Sequence, residues 1–333
     1  MSQWRKDPIV GRWVIVAANR AQRPNAFVTS RRWDGNRPCP FCEGHEDETP
    51  GEVFAYRAPP IERDHPGWRV RVVPNKYPAL GPDGSAQWRT EGMFQVIDGI
   101  GAHEVIVESP RHLVSTSQLS AEQLAEVFAA YRQRLLAWKD DPRLVYGMIF
   151  KNVGEAAGAS LEHTHSQLIA TPIVPITVSE EMAGALAFYR ERRRCVYCAM
   201  IDRERADAVR IVLETPDFVA LSPFAARFPF ETWVLPKRHA SHYESTPETG
   251  LSELAGIVRR LIRKIESELD RPAYNYFVHT APFDITDAAH YHWHIEVIPS
   301  LTKAAGFEWG SGYFVNPVPP EEAAARLLQA KEA

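Results

Sequence analysis

The sequence predicts an α+β fold made of two tandem repeats, each an antiparallel sheet with one packed helix. Three observations lead there. A Cys-x-x-Cys pair, a strand-like run ending in a basic turn and a histidine, an amphipathic helix and a His-x-His strand occur twice in the same order. The spacing is nearly equal, with 51 residues from His112 to His163 and 53 from His239 to His292. Each half also carries one helical period among strand-like runs, the pattern of a sheet covered by a single helix.

In the first repeat, Cys39-Pro-Phe-Cys42 lies in a Pro- and Gly-rich loop, and HEVIVESPRH (103–112) reads as a strand running into a turn. Ser120 with Gln123 reads as a capping box, and Leu124, Val127, Phe128, Tyr131 and Leu135 follow at helical spacing. The strand VYGMIFKNVG (145–154) comes next, then LEHTHSQLIATP (161–172). There His163, His165 and Gln167 alternate, so all three share one face at steps of roughly 7 Å. The second repeat runs Cys195-Val-Tyr-Cys198, FETWVLPKRH (230–239), a helix with Leu254, Ile257, Leu261 and Ile265 on one face, YNYFVHTAP (274–282) and HYHWHIEVIP (290–299). The boundary falls within 172–194, which divides the chain into domains of residues 1–178 and 179–333.

With 38 Lys and Arg against 42 Asp and Glu, the chain lacks the broad basic surface that nucleic-acid binding needs. A small phosphate ligand held by a few local groups stays open. The N-terminal MSQWRKDPIVGRW has no apolar core of a signal peptide, and no run approaches the roughly 18 apolar residues of a membrane helix, so the reading is cytoplasmic with no membrane partner. In a reducing compartment the two close cysteine pairs point to metal or redox chemistry rather than disulfides.

Zinc takes Cys and His tetrahedrally, and each repeat offers one Cys pair and two later histidines. The sets are Cys39, Cys42, His112 and His163, and Cys195, Cys198, His239 and His292. Two zinc ions per chain would each staple a cysteine loop to the sheet, with no position open for water. Glu181, His279, His292 and His294 form a rival set for the second metal, and His292 cannot serve both.

A histidine on a strand is, taken alone, most simply a satisfied polar residue. Here His165 stands beside a metal-held His163, directly after the small-residue loop NVGEAAGAS (152–160). Backbone N–H groups of such a loop can approach phosphate oxygens closely. A neutral imidazole in that position is suited to attack phosphorus and form a phosphoramidate, with Gln167 holding phosphoryl oxygens by amide donation.

The segments RKDPIVGRWVIVAANRAQRP, CPFCEGHEDETP, VRVVPNKYPAL, FKNVGEAAGASLEHTHSQ, FPFETWVLPKRH and HWHIEVIP together resemble the galactose-1-phosphate uridylyltransferase family of the histidine-triad superfamily, nearly end to end. The resemblance implies two histidine-triad-like domains and a homodimer in which one subunit completes the other's site. It implies that His165 takes the uridylyl group from UDP-glucose, that glucose 1-phosphate leaves, and that galactose 1-phosphate then attacks the covalent intermediate in a ping-pong transfer. It casts Gln167 and Ser160 as phosphate contacts, places Arg20, Arg23, Asn75 and Asn152 near the nucleotide, and makes Glu308 a hexose contact. In the superfamily's hydrolases a third histidine stands where Gln167 stands here; an amide fits transfer rather than hydrolysis.

The best-known members have Pro between the two histidines and Gly after them, where this chain has Thr164 and Ser166. These residues and the second Cys pair are similar to a bacterial branch and to the related plant ADP-glucose phosphorylases, which use phosphate as acceptor. The resemblance therefore leaves base and acceptor open between a uridylyltransferase and a nucleotide-sugar phosphorylase. Glu296 stands where Gln167 would be in the second repeat, so that repeat reads as catalytically silent.

Overall fold

The computed structural model describes residues 3–6, 8–10, 13–16 and 39–332. In chain order it forms β1 (Gln3–Lys6), β2 (Trp13–Val16), β3 (Phe54–Arg57), β4 (Trp68–Pro74), β5 (Arg89–Glu91), β6 (Phe94–Val96), β7 (Ala102–Val107), α1 (Ala121–Lys139), β8 (Tyr146–Val153) and β9 (His165–Thr171). Helices α2 (Ile176–Arg192) and α3 (Val196–Asp207) lead into β10 (Ile211–Glu214), β11 (Phe218–Leu221), β12 (Thr232–Pro236), α4 (Glu248–Glu268), β13 (Tyr274–His279) and β14 (His294–Pro299). The chain then forms α5 (Gly306–Ser311), β15 (Phe314–Asn316) and α6 (Pro320–Gln329).

The fold is α+β, as the sequence predicts, but the repeats do not keep separate sheets. Ten strands form one sheet in the order β10-β11-β12-β14-β13-β8-β9-β7-β4-β3. The two halves have matching strand order and meet at β8 and β13, which pair antiparallel. At that seam Phe150 lies opposite Phe277. Phe150 also faces Gln167 on its other side, and Phe277 faces Glu296. The two phenylalanines therefore mark a pseudo-two-fold axis relating the halves.

One face of the sheet is covered by α1 and α4. All five apolar residues marked at helical spacing on α1 and all four on α4 are buried in the core between helices and sheet. Ser120 caps α1 by accepting from Gln123 N–H, 3.1 Å. Gln123 does not complete a capping box, because its side chain donates instead to the Glu108 carbonyl at the end of β7, 3.1 Å. A complete box forms just upstream, between Ser115 and Gln118.

On the same buried side lies an ion pair directly behind the β9 histidines. Lys151 and Glu108, both fully buried, are joined, and Thr164 bridges them: Lys151 Nζ donates to Thr164 Oγ1 and Thr164 donates to Glu108, both 2.7 Å. Tyr276 donates to Tyr131 (2.7 Å), which donates to the other Glu108 oxygen, 3.0 Å. Burial pushes the Glu108 carboxyl up, but Lys151 outweighs it and holds the group below the usual carboxylate range. Thr164 and Ser166 thus face the helices, like core residues Leu168 and Ala170, and not the side of the sheet that carries His165.

Over the second half, the opposite face is packed under α2 and α3 by Ala185, Val196, Tyr197, Trp233 and Leu235. Over the first half it carries a smaller apolar cluster of Trp68, Val73, Val105 and Val107, with Phe41 against it. That difference decides which half has an accessible centre. No helix among the described residues is long and apolar enough to cross a membrane.

Thr164→Val removes the bridging hydroxyl at constant shape while leaving Lys151 paired. It is expected to lower unfolding stability by about 1–3 kcal/mol in urea titration, the cost of leaving buried partners short of a bond.

Candidate active site and metal centres

Each Cys pair lies beside two histidines from distant parts of its own half. Cys42 Sγ is 3.5 Å from His112 Nδ1 and 3.6 Å from His163 Nδ1, and Cys39 Sγ is 3.5 Å from His163 Nδ1. In the second half Cys198 Sγ is 3.5 Å from His239 Nδ1 and 3.6 Å from His292 Nδ1. A tetrahedral zinc with bonds of 2.3 Å to sulfur and 2.1 Å to nitrogen places those atoms about 3.6 Å apart, so both sets fit such an ion. The second Cys pair opens a helix, with Cys195 as the cap of α3, while the first sits in a turn.

The hydrogen bonds outside each site orient the ligands. His163 donates from Nε2 to the Ser109 carbonyl and His292 from Nε2 to the Pro236 carbonyl, each 2.8 Å. A carbonyl only accepts, so the proton is on Nε2 and the Nδ1 lone pair faces the sulfurs. Burial and the neighbouring Cys39 push the Cys42 thiol up to about 11. A thiolate at Cys42 is therefore disfavoured at neutral pH unless a cation neutralises it.

Of the rival ligand set, Glu181, His279 and His294 do come together, and only His292 does not join them. The Pro236 carbonyl turns His292 toward Cys198, and Glu181, His279 and His294 converge with Glu296 instead. That fully buried cluster has internal partners: His279 donates to Glu181, Tyr291 donates to Glu181 (2.9 Å), and Arg227 pairs with both Glu296 and Glu231.

His165 donates from Nδ1 to the His163 carbonyl, 2.7 Å, which leaves the Nε2 lone pair unprotonated. Burial holds this imidazole below the usual histidine range, so it is neutral at pH 7. Phe41, between the two cysteines of the first pair, lies edge-on to it with ring centroids 5.2 Å apart. His294 makes the matching bond to the His292 carbonyl, 3.1 Å. It is nevertheless 0% exposed beneath Tyr197 and Trp233, whereas His165 is 7% exposed.

Gln167 lies on the accessible face with His165. Its Oε1 is 2.8 Å from His103 Nε2 and 3.3 Å from Asn75 Nδ2. Asn75 was singled out by the sequence resemblance, and His103 was not; the sequence signal for it is its place at the head of HEVIVESPRH, in period with the outward-facing residues of β7. Asn152 Oδ1 accepts from Asn275 Nδ2 across the seam, 2.7 Å, and Asn275 also donates to the Ala157 carbonyl, 2.8 Å. A cavity of about 360 Å³ opens here, lined among others by Phe150, Asn152, Asn275, Phe277 and Phe228.

The small-residue loop differs from the open cradle expected of it. Gly154 and Gly158 take positive φ, and between them a short turn uses the N–H groups of Ala157, Gly158 and Ala159 on the Gly154 and Glu155 carbonyls. Ser160 is exposed at its end. Glu308 caps α5 by accepting from Ala305 N–H, 3.0 Å. Neither Ser160 nor Glu308 hydrogen-bonds the His165 strand among the described residues, and Arg20 and Arg23 lie outside those residues.

Comparison with known proteins places this geometry among relatives. Residues 1–175 match the family model described as galactose-1-phosphate uridyl transferase, N-terminal domain, and residues 184–310 match its C-terminal domain. The chain is 37% identical to an ADP-glucose phosphorylase of Arabidopsis thaliana over 96% of this chain and 90% of that protein. It is 30% identical to a galactose-1-phosphate uridylyltransferase of Thermotoga maritima over 99% of this chain and 98% of that one. The crystal structure of the Arabidopsis ADP-glucose phosphorylase with bound ADP-glucose superposes with a TM-score of 0.86 at 34% identity, covering 99% of both chains.

Elemental analysis of protein purified without chelator is expected to give about two tightly held divalent ions per chain. Cys195→Ser is expected to remove about one of them while leaving the site of Cys39 filled.

Proposed function

Since the chain belongs to the galactose-1-phosphate uridyl transferase family, a family of nucleotidyltransferases, we propose that it is a UDP-glucose–hexose-1-phosphate uridylyltransferase of carbohydrate (galactose) metabolism with His165 as covalent nucleophile. The observation that carries this is the fixed tautomer of His165: its Nδ1 proton is committed to the His163 carbonyl and its Nε2 lone pair is on the accessible face.

The reaction follows from that geometry. His165 Nε2 attacks the α-phosphorus of the nucleotide sugar; an N–P bond forms, the P–O bond to the sugar phosphate breaks, and the hexose 1-phosphate leaves as an anion. The positive charge gained by the ring is shared with the His163 carbonyl through Nδ1–H. An anionic oxygen of the second hexose 1-phosphate then attacks phosphorus, and the N–P bond breaks to return a neutral imidazole. Neither step moves a proton, so an amide at Gln167 suffices where water activation would need a base. We assign Gln167 and Ser160 to the phosphoryl oxygens, Asn75, Asn152, Arg20 and Arg23 to the nucleotide side, and Glu308 to the hexose.

We assign zinc to both Cys2His2 sets. Zinc supplies charge neutralisation of two thiolates and a cross-link from a loop to the sheet; in the first half that loop carries Phe41 onto His165. We also propose a homodimer, which the exposed Phe307 and Trp309 beside Glu308 support. A nucleotide-sugar phosphorylase such as an ADP-glucose phosphorylase is the second reading, favoured by the 37% identity to the plant enzyme.

Incubation with UDP-glucose or ADP-glucose labelled at the α-phosphate separates the two. Acid-labile protein label from the uridine donor, discharged by galactose 1-phosphate and absent in His165→Ala, is the expected result. Label from ADP-glucose discharged by inorganic phosphate would establish the phosphorylase, and label persisting in His165→Ala would overturn the nucleophile assignment.

A further inference from the structure

We propose that His103 is a positioning residue that makes Gln167 a donor-only amide, so that the covalent nucleotidyl-histidine passes to a phosphate acceptor and not to water. The inference rests on the covalent transfer proposed above. The orientation of the whole network descends from two main-chain N–H groups, whose donor role is not in question.

Ala79 N–H donates to His103 Nδ1, 3.0 Å. A ring nitrogen that accepts carries no proton, so the proton of the neutral imidazole is on Nε2. Tyr77 N–H donates to Asn75 Oδ1, 2.9 Å, which turns the Asn75 NH2 the other way. His103 Nε2 and Asn75 Nδ2 then approach one side-chain atom of Gln167, at 2.8 and 3.3 Å. Both approach as donors, so that atom is the carbonyl oxygen. The 3.0 Å between Asn75 Nδ2 and His103 Nε2 is the contact of two donors sharing one acceptor. The Asn75 main chain is tied to the same place, its N–H donating to the His103 carbonyl, 2.8 Å.

With Oε1 saturated, Gln167 has only its two Nε2 protons to offer. They suit the phosphoryl oxygens, whose charge grows during transfer. They do not suit water, which needs an acceptor for its proton before it can attack. A hexose phosphate or inorganic phosphate arrives with an anionic oxygen and needs none. An amide free to turn over would present its oxygen to the phosphoryl group for part of the time, repelling the bound state and orienting water. The glutamine alone does not secure discrimination against hydrolysis; the histidine behind it does.

Two substitutions and one spectrum test this. His103→Phe keeps the ring volume and removes both polar contacts, whereas His103→Gln keeps a side-chain N–H within reach of Oε1. With α-labelled nucleotide sugar, His103→Phe is expected to slow protein labelling about tenfold with KM changed less than about twofold, the loss expected from one mispositioned transition-state donor. The ratio of free nucleoside monophosphate to transfer product is expected to rise by a similar factor, and His103→Gln to restore most of both. An unchanged hydrolysis ratio in His103→Phe, or a labelling defect that His103→Gln does not recover, overturns the proposal. Independently of any substrate, 15N spectra of histidine-labelled protein are expected to show the His103 resonance, identified by its loss in His103→Phe, with Nε2 protonated and Nδ1 bare. An Nδ1–H tautomer overturns it. Should wild-type protein take no label from either donor, the functional reading fails and the tautomer still decides the orientation of Gln167.

Discussion

Where β8 meets β13, the main-chain hydrogen bonds of two similar halves close into one antiparallel ladder, and the register of that ladder sets every residue on the accessible face. Phe150 opposite Phe277 fixes the axis. From it, the neighbouring strands deliver Gln167 and Glu296 to equivalent positions, and His165 and His294 two residues further on. A slip of one residue would turn His165 into the helical core and bring Thr164 outward. The ion pair of Lys151 with Glu108, anchored by Thr164 on the far side of the sheet, makes such a slip costly, because it would strand two buried charges.

The two halves use this common frame differently. Both histidine pairs carry the same carbonyl bonds, so the tautomers of His163 and His165 recur in His292 and His294. What differs is what lies above. In the second half α2 and α3 seal the face, and Arg227 with Glu231 and Glu296 occupies the polar ground. In the first half, among the described residues, the short loop of the cysteine pair reaches over and leaves a ring edge against the imidazole. The halves differ in coverage and not by loss of the histidine.

Much of this was legible in the sequence because it rests on periodicity and local spacing. The helix faces and the alternation of His163, His165 and Gln167 follow from periods of two, three or four residues, and the repeat and both Cys2His2 sets from motifs that recur in the same order at near-equal spacing. The fusion of two sheets was not legible, since pairing between β8 and β13 joins residues over a hundred positions apart and leaves no periodic mark. The loop after Asn152 read as an open phosphate cradle because Gly and Ala permit one; the turn closed by Ala157, Gly158 and Ala159 spends those N–H groups internally. His103 escaped notice because its role depends on the Ala79 N–H and the Gln167 amide, both remote in sequence. The rival metal set was right in Glu181, His279 and His294 and wrong in its fourth member for a similar reason, since a single carbonyl, that of Pro236, decides which way His292 looks and Glu296 stands in its place.

The inward direction of Thr164 and Ser166 bears on how variation in this motif is interpreted. Between the two histidines, and again before the glutamine, the chain presents side chains to the helices, where volume and, at Thr164, hydrogen bonding rule. A proline at the first position would forgo the hydroxyl bridge to Lys151 and Glu108 and require a different neighbourhood for that ion pair. A change at either of these two positions is therefore met by the layer of helices beneath β9. The other parity carries a continuous line from His103 through Gln167 to Phe150 and, across the seam, Phe277.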